Sequence, residues 1–158
     1  MTPDPDWSGL TQFKFGDSPK LADRLAGLVV AGVKTGTCSA AVHGPDTSVG
    51  EKQVCLSGTG VPVCVIETLS MTTMSFEAVT PEMAALEGEG DLSYRFWRDG
   101  HIAYFKREKT WAPDMDVIFE TFCVVAILDQ KFANSAPGVV LAERAEAFAK
   151  GYDALGAR

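Results

Sequence analysis

The apolar pattern of this chain changes period once, soon after its start, and that change limits the folds open to it. Leu21, Leu25, Leu28 and Val29 fall at i, i+4, i+7 and i+8, one stripe of a helix. Ser18 supplies an N-cap hydroxyl, Pro19 sits in the first turn where its missing N–H costs nothing, and Gly32 can close the helix in the left-handed conformation. The stretches Thr37 to Val42, Gln53 to Leu56 and Val61 to Met71 then turn to Val, Thr and Cys, and they are separated by the turn segments His43 to Gly50 and Ser57 to Gly60. That pattern predicts three strands.

Further on, Thr80-Pro81 repeats the cap-plus-proline signal and starts a short helix through Met83 and Leu86, stopped at Gly88 and Gly90. Asp91 is placed to cap the next helix, in which Tyr94, Trp97, His101, Tyr104 and Glu108 recur at spacings of three and four until Trp111, Ala112 and Pro113. Val117 to Val125 reads as a buried strand. A closing helix follows the Asn134 to Gly138 loop, with Leu141, Ala145, Phe148, Tyr152 and Leu155 as its apolar stripe. The order is helix, three strands, two helices, strand, helix. Crossovers do not alternate with strands, so a doubly wound parallel sheet fits poorly. An α+β fold with a small mixed or barrel-like sheet and surrounding helices fits better.

At 158 residues the chain is long enough for one domain with a core, burying about 68–70% of its unfolded surface. Its formal net charge is −7, which opposes bulk electrostatic binding to DNA. Met1 to Trp7 has neither a basic start nor an apolar run, so no secretory signal is expected. No apolar stretch approaches the roughly 18 residues of a membrane span. Cys38, Cys55, Cys64 and Cys123 are far apart, which points to reduced thiols and a cytoplasmic protein. There is no CxxC or HxxxH spacing, and His43 and His101 are the only histidines. No metal and no cofactor are therefore expected.

Three constellations can carry chemistry. In Gly32-Val33-Lys34-Thr35-Gly36-Thr37 a helix stops and a strand begins. Partial burial would lower the pKa of Lys34 and let it take a proton from Thr37, a weak nucleophile until a base activates it. The alternative is an ordinary turn with a solvated lysine. In the run Glu87, Glu89, Asp91, close carboxylates raise one another's pKa and can supply an acid or an orienting anion. Glu89 and Asp91 read as solvated loop and capping charge, whereas Glu87 is retained as a candidate. Residues 95 to 109 hold Arg95, Arg98, Lys106, Arg107 and Lys109 against Asp99 and Glu108, among Tyr94, Phe96, Trp97, Tyr104, Phe105 and Trp111. Rings beside cations suit stacking on unpaired bases, at about 1–3 kcal/mol per base. The periodicity of Tyr94, Trp97 and Tyr104 equally suits the buried face of a helix.

Phe15-Gly16-Asp17, Gly32-x-Lys34-Thr35-x-Thr37, Val49-Gly50-Glu51, Gly60-x-Pro62-Val63-Cys64-x-Ile66, the Glu87 to Asp91 run, Tyr94-x-x-Trp97 and Tyr104-Phe105, in this order from about Trp7 to Val125, resemble the bacterial ASCH domain proteins. The resemblance implies a PUA-like mixed β-barrel with a cleft beside the Gly-x-Lys motif, occupying residues 1–128. Residues 129–158 would form a C-terminal helical extension packing on it, or serving self-association as a homodimer. It also implies RNA or a modified nucleoside as ligand, with Thr35, Tyr94, Trp97, Arg95, Arg98 and His101 as candidate binding residues. Some relatives remove the acyl group from acetylated cytidine, and others are described as ribonucleases. In the deacylating relatives a Lys and a Thr of the Gly-x-Lys-x-x-Thr motif and a later Glu do the work, which maps to Lys34, Thr37 and Glu87. This chain departs from the pattern in Glu51, where many relatives carry Asp, and in a longer middle segment. Four functions stay open: a binding module, an amidohydrolase on an acylated cytosine-type base, a ribonuclease using Lys34, Tyr94 or His101, and an interaction domain without catalysis.

Overall fold

A computed structural model describes residues 6–153. Helix α1 (Pro19–Val30) begins as its sequence dictates. The Ser18 hydroxyl accepts the Leu21 N–H, and the stripe turns Leu25, Leu28 and Val29 inward. Strands β2 (Gly36–Ala40), β3 (Lys52–Leu56) and β4 (Pro62–Ser75) follow, then α2 (Pro81–Ala85), α3 (Tyr94–Glu108), β5 (Asp116–Ile127) and α4 (Gln130–Ala149). The first strand, β1 (Gln12–Phe13), was not foreseen, since two residues carry no period; it pairs parallel to β3. The sheet order is β1-β3-β4-β5-β2, with every other pairing antiparallel. Among the described residues β1 and β2 do not pair, so the sheet is open and the expected barrel does not close.

Two apolar cores form along the sheet. Phe15, Leu25, Leu28, Val29, Cys55, Val63, Cys64, Ile66 and Phe122 join α1 to the middle strands. Cys38, Ala40, Phe76, Trp97, Phe105, Val117 and Phe119 join α3 to β2 and β5. A cleft of about 710 Å³ opens between them, with Phe15 and Phe122 from the first core and Cys38 and Ala40 from the second in its walls.

Three expectations are corrected. Ser93, not Asp91, caps α3: its hydroxyl accepts the Phe96 N–H, while Asp91 accepts the Ser93 N–H. The segment 134–138 is helical, because Asp129 caps α4 earlier and the helix runs through Pro137 while Val139 and Val140 pack on the first core. The stripe predicted for α4 faces the wrong way. Leu141 and Phe148 are 72% and 71% exposed, and the buried positions are Ala136, Glu143 and Ala147. Small residues win this interface because α1 and α4 approach closely; a Cβ at Gly27 would lie 2.9 Å from the Val139 side chain. Leu155, and Met1 to Pro5 of the N-terminal segment, lie outside the described residues.

Candidate active site

The Lys34 motif is built by the end of α1. Gly32 takes φ +81°, and the N–H groups of Val33 and Lys34 both reach the Leu28 carbonyl at 3.1 Å, which turns the chain back towards the sheet. Thr35 and Gly36 then donate their N–H groups to the Leu86 carbonyl at 2.7 and 3.0 Å, zipping this segment to the acidic loop after α2. The contact demands glycine at 88: its φ is +71°, and a Cβ there would lie 2.4 Å from the Val33 carbonyl oxygen.

This closure buries Lys34 to 2% exposure at the cleft. Its Nζ donates to the Gly36 carbonyl at 3.0 Å, to Glu87 Oε1 at 3.2 Å and to Glu89 Oε2 at 3.1 Å, and lies 5.5 Å from the centre of the Phe15 ring. All three ammonium protons have acceptors. Glu87 is equally buried and also receives the Trp97 indole N–H at 2.6 Å and His101 Nε2 at 3.2 Å. Trp97 is stacked against Phe76, Tyr94 and His101, at centroid distances of 5.2, 5.7 and 4.4 Å, so its donor is aimed by packing. The other ring nitrogen of His101, Nδ1, lies 2.8 Å from the Trp97 carbonyl. A carbonyl and an ionised carboxylate both only accept, so His101 is assigned as the doubly protonated imidazolium. Two cations and two anions thus share one buried cluster.

The balance of burial and pairing sets each pKa. Burial pulls the Lys34 ammonium down, but the Glu89 and Glu87 carboxylates outweigh it and leave the pKa above its ordinary value. Burial pushes Glu87 up, and His101, Lys34 and Trp97 overcome it and hold this carboxyl at about 2. Burial raises Glu89, and Lys34 does not fully compensate with Glu87 close by, so its pKa is higher than normal. His101 is likewise pulled down by burial and carried above its ordinary value by Glu87. The two neighbouring carboxyls are thus pushed in opposite directions, Glu87 down and Glu89 up. Cys38 borders the cleft, but burial and the nearby carboxylates push its thiol up, so it is no nucleophile at neutral pH.

Lys34, Thr37, Glu87 and His101 therefore come together at one cleft. Lys34 does not match the expected base of lowered pKa, because two carboxylates hold its proton. Thr37, half-buried in β2 opposite Glu120, lines the cleft, and no hydrogen bond joins it to Lys34, Glu87 or Glu89 among the described residues. Thr35 turns its hydroxyl to the Leu86 carbonyl. Tyr94 and Trp97 stack behind the cluster, outside the cleft walls. Arg95 and Arg98 do not reach the cleft. Arg95 donates to the Gly151 carbonyl and covers the Tyr152 ring, and Arg98 forks onto Glu77 at 3.0 and 2.8 Å. Within the basic segment Arg98 and Arg107 are paired with Glu77 and Asp17, while Lys106 and Lys109 are exposed. Glu89, read as solvated, has a side chain only 19% exposed; the reading failed because its partner is Lys34, distant in sequence. Glu87, Glu89 and His101 offer three ligand atoms within 4.8 Å of one another, but the Lys34 ammonium already bridges the two carboxylates where a cation would sit.

A model of the ASCH domain matches residues 11–126. The chain belongs to the ASCH domain family. Its fold is also that of an ASCH domain from Lactobacillus crispatus JV V101, at TM-score 0.69 and 31% identity over 73% of this chain and 79% of that one. A protein of the DUF984 family from Enterococcus faecalis V583 is similar at TM-score 0.67 and 28% identity, over 78% and 84% of the two chains. Among curated proteins none matches the sequence. No helix of the described residues is long and apolar enough to cross a membrane.

Proposed function

We propose that the Lys34 cleft binds a modified nucleoside and removes an acyl group from its cytosine-type base. The family resemblance brings in the substrate class. The observation that carries the reading is the buried Lys34–Glu87–Glu89–His101 cluster, opening beside Thr37 into a cleft of about 710 Å³, within the usual range for a small-molecule site. A neutral ligand suits it better than a polyanion. Of the cleft's cations, Arg24 is paired with Glu143 and Glu146, Arg107 with Asp17, Lys150 with Glu146 and Lys34 with its two carboxylates, while Lys14 donates to the Gly58 carbonyl. Four of these cations already face carboxylates, and the net charge of −7 also opposes a polyanion, which disfavours an RNA strand and a ribonuclease.

In this mechanism Thr37 Oγ attacks the acyl carbonyl and its proton passes to Glu89. The C–N bond then breaks, the amino group of the base leaves with a proton from Glu89, and water hydrolyses the acyl ester on Thr37 to release the carboxylic acid. Lys34 stays protonated. As Glu89 takes the proton, its hold on Nζ weakens and a donor is freed for the oxyanion. Glu87, fixed by three donors, keeps Lys34 and His101 in place.

The four free thiols support a reducing, cytoplasmic setting, and self-association would use the exposed Leu141 and Phe148 face of α4. Chromatography of acetylated cytidine incubated with the protein tests the activity. Cytidine should accumulate with the wild type and fall at least about a hundredfold with Thr37→Ala. A fully active Thr37→Ala protein removes Thr37 as nucleophile, and no turnover by the wild type removes the hydrolase.

A further inference from the structure

Helix α4 lies beyond the matched ASCH residues, yet it grips the loop that carries Glu89. Arg144 Nη1 donates to the Gly88 carbonyl at 2.6 Å and to the Gly90 carbonyl at 2.7 Å. Its neighbour Glu143 accepts the Gly90 N–H at 2.8 Å and is also paired with Arg24 of α1. Adjacent residues of opposite charge thus hold both carbonyls and one N–H flanking Glu89. The loop needs holding: Gly88 and Gly90 sit at φ +71° and +60°, and glycine gives up more backbone freedom on ordering than any other residue. On its other side the loop backs onto Val33 and the Phe96 ring, where a Cβ on Gly88 or Gly90 would approach to 2.4 or 2.3 Å.

The burial of Glu143 argues against a purely structural helix. It is 5% exposed and paired with Arg24 of α1, and a well-packed apolar pair in their place would be about as stabilising as a buried ion pair. What an apolar residue cannot do is fix the Gly90 amide.

We propose that α4 is a working part of the site, with Arg144 and Glu143 as positioning residues that set Glu89 against Lys34 and so fix how many carboxylates face the ammonium. Its bearing on turnover rests on the deacylation reading; its effect on the cluster stands apart from it.

The test uses the full chain in four forms: wild type, Arg144→Ala, Glu89→Gln and the double variant. The readout is the NMR titration of the His101 ring, which faces Glu87 and Glu89 on the acidic loop and the Trp97 carbonyl on its own helix. Releasing Glu89 removes one anion from this surrounding. Arg144→Ala should therefore lower the His101 midpoint by about half a pH unit or more. Glu89→Gln should lower it similarly, the double variant should add nothing further, and Arg144→Lys, able to keep one carbonyl contact, should fall between. Loss of packing alone would lower the melting temperature without this shared shift. A wild-type midpoint in Arg144→Ala, or additive shifts in the double variant, overturns the proposal. Should Arg144→Ala fail to fold, Arg144→Lys and Glu143→Gln carry the same comparison against Glu89→Gln. Absent turnover in the wild type would defeat the deacylation reading and leave the titration result standing.

Discussion

Replacing Lys34 by methionine keeps most of the side-chain volume and removes one charge from the buried cluster. Glu87 and Glu89 then face each other without the ammonium that bridges them at 3.2 and 3.1 Å. Removing one partner of a buried pair costs about 3–5 kcal/mol, a large part of the roughly 5–15 kcal/mol by which such a domain is stable. The loss should also depend on pH. Glu89 already has a raised pKa, and a buried acid of raised pKa destabilises the folded state as pH rises from its unfolded value through its folded one. Without Lys34 that pKa climbs further, so the deficit relative to wild type should shrink between pH 7 and pH 5 as Glu89 takes up a proton. Glu87 has the opposite sign. Held at about 2, it stabilises the fold above the ordinary carboxyl range, and that contribution is lost only as pH falls towards 2. Urea unfolding followed by tryptophan fluorescence and circular dichroism at both pH values measures the effect, with an unchanged slope confirming comparable end states. A loss below about 1 kcal/mol, or the same loss at both pH values, would refute the claim that Lys34 is held as a cation between two carboxylates.

Gly88→Ala should lower the melting temperature by several degrees, since it imposes a positive φ on alanine and drives its Cβ against the Val33 carbonyl; an unchanged melting curve would show that the two loops do not meet so closely. Joint replacement of Arg95 and Arg98 by alanine should leave nucleoside affinity within about twofold, because both cations are spent on Gly151 and Glu77 away from the cleft. A tenfold weakening in a calorimetric titration would return the basic segment to the binding surface.

The legible parts of the fold were those with a local cause. Helix α1 follows from Ser18, Pro19 and a leucine stripe, and the strands from Val, Thr and Cys runs between turns. The open sheet was misjudged because closure depends on whether β1 meets β2, which no local pattern records. In α4 the large apolar residues suggested the buried face, but close approach to α1 selected Ala136 and Ala147 instead. At the site, Lys34, Thr37 and Glu87 line one cleft; the first two stand out in the sequence through the Gly-x-Lys-x-x-Thr motif and the third through the acidic run. Glu89 does not stand out as a site residue, because Glu-Gly-Glu-Gly-Asp looks like a wet loop until Lys34 is brought against it. Arg95 and Arg98 were misread for the converse reason: counting charge along the chain does not show that Glu77 and the Gly151 carbonyl already bind them. Charged side chains take their roles from partners far off in sequence.

The indole N–H of Trp97, aimed at Glu87 from behind the cleft, gives the most direct measurement of whether the cluster is the ligand site. Its NMR resonance should move saturably as acetylated cytidine is added to the Thr37→Ala protein, and much less with a short single-stranded RNA at equal concentration. An indole signal indifferent to the nucleoside while the RNA binds elsewhere on the surface would contradict the assignment of this cleft.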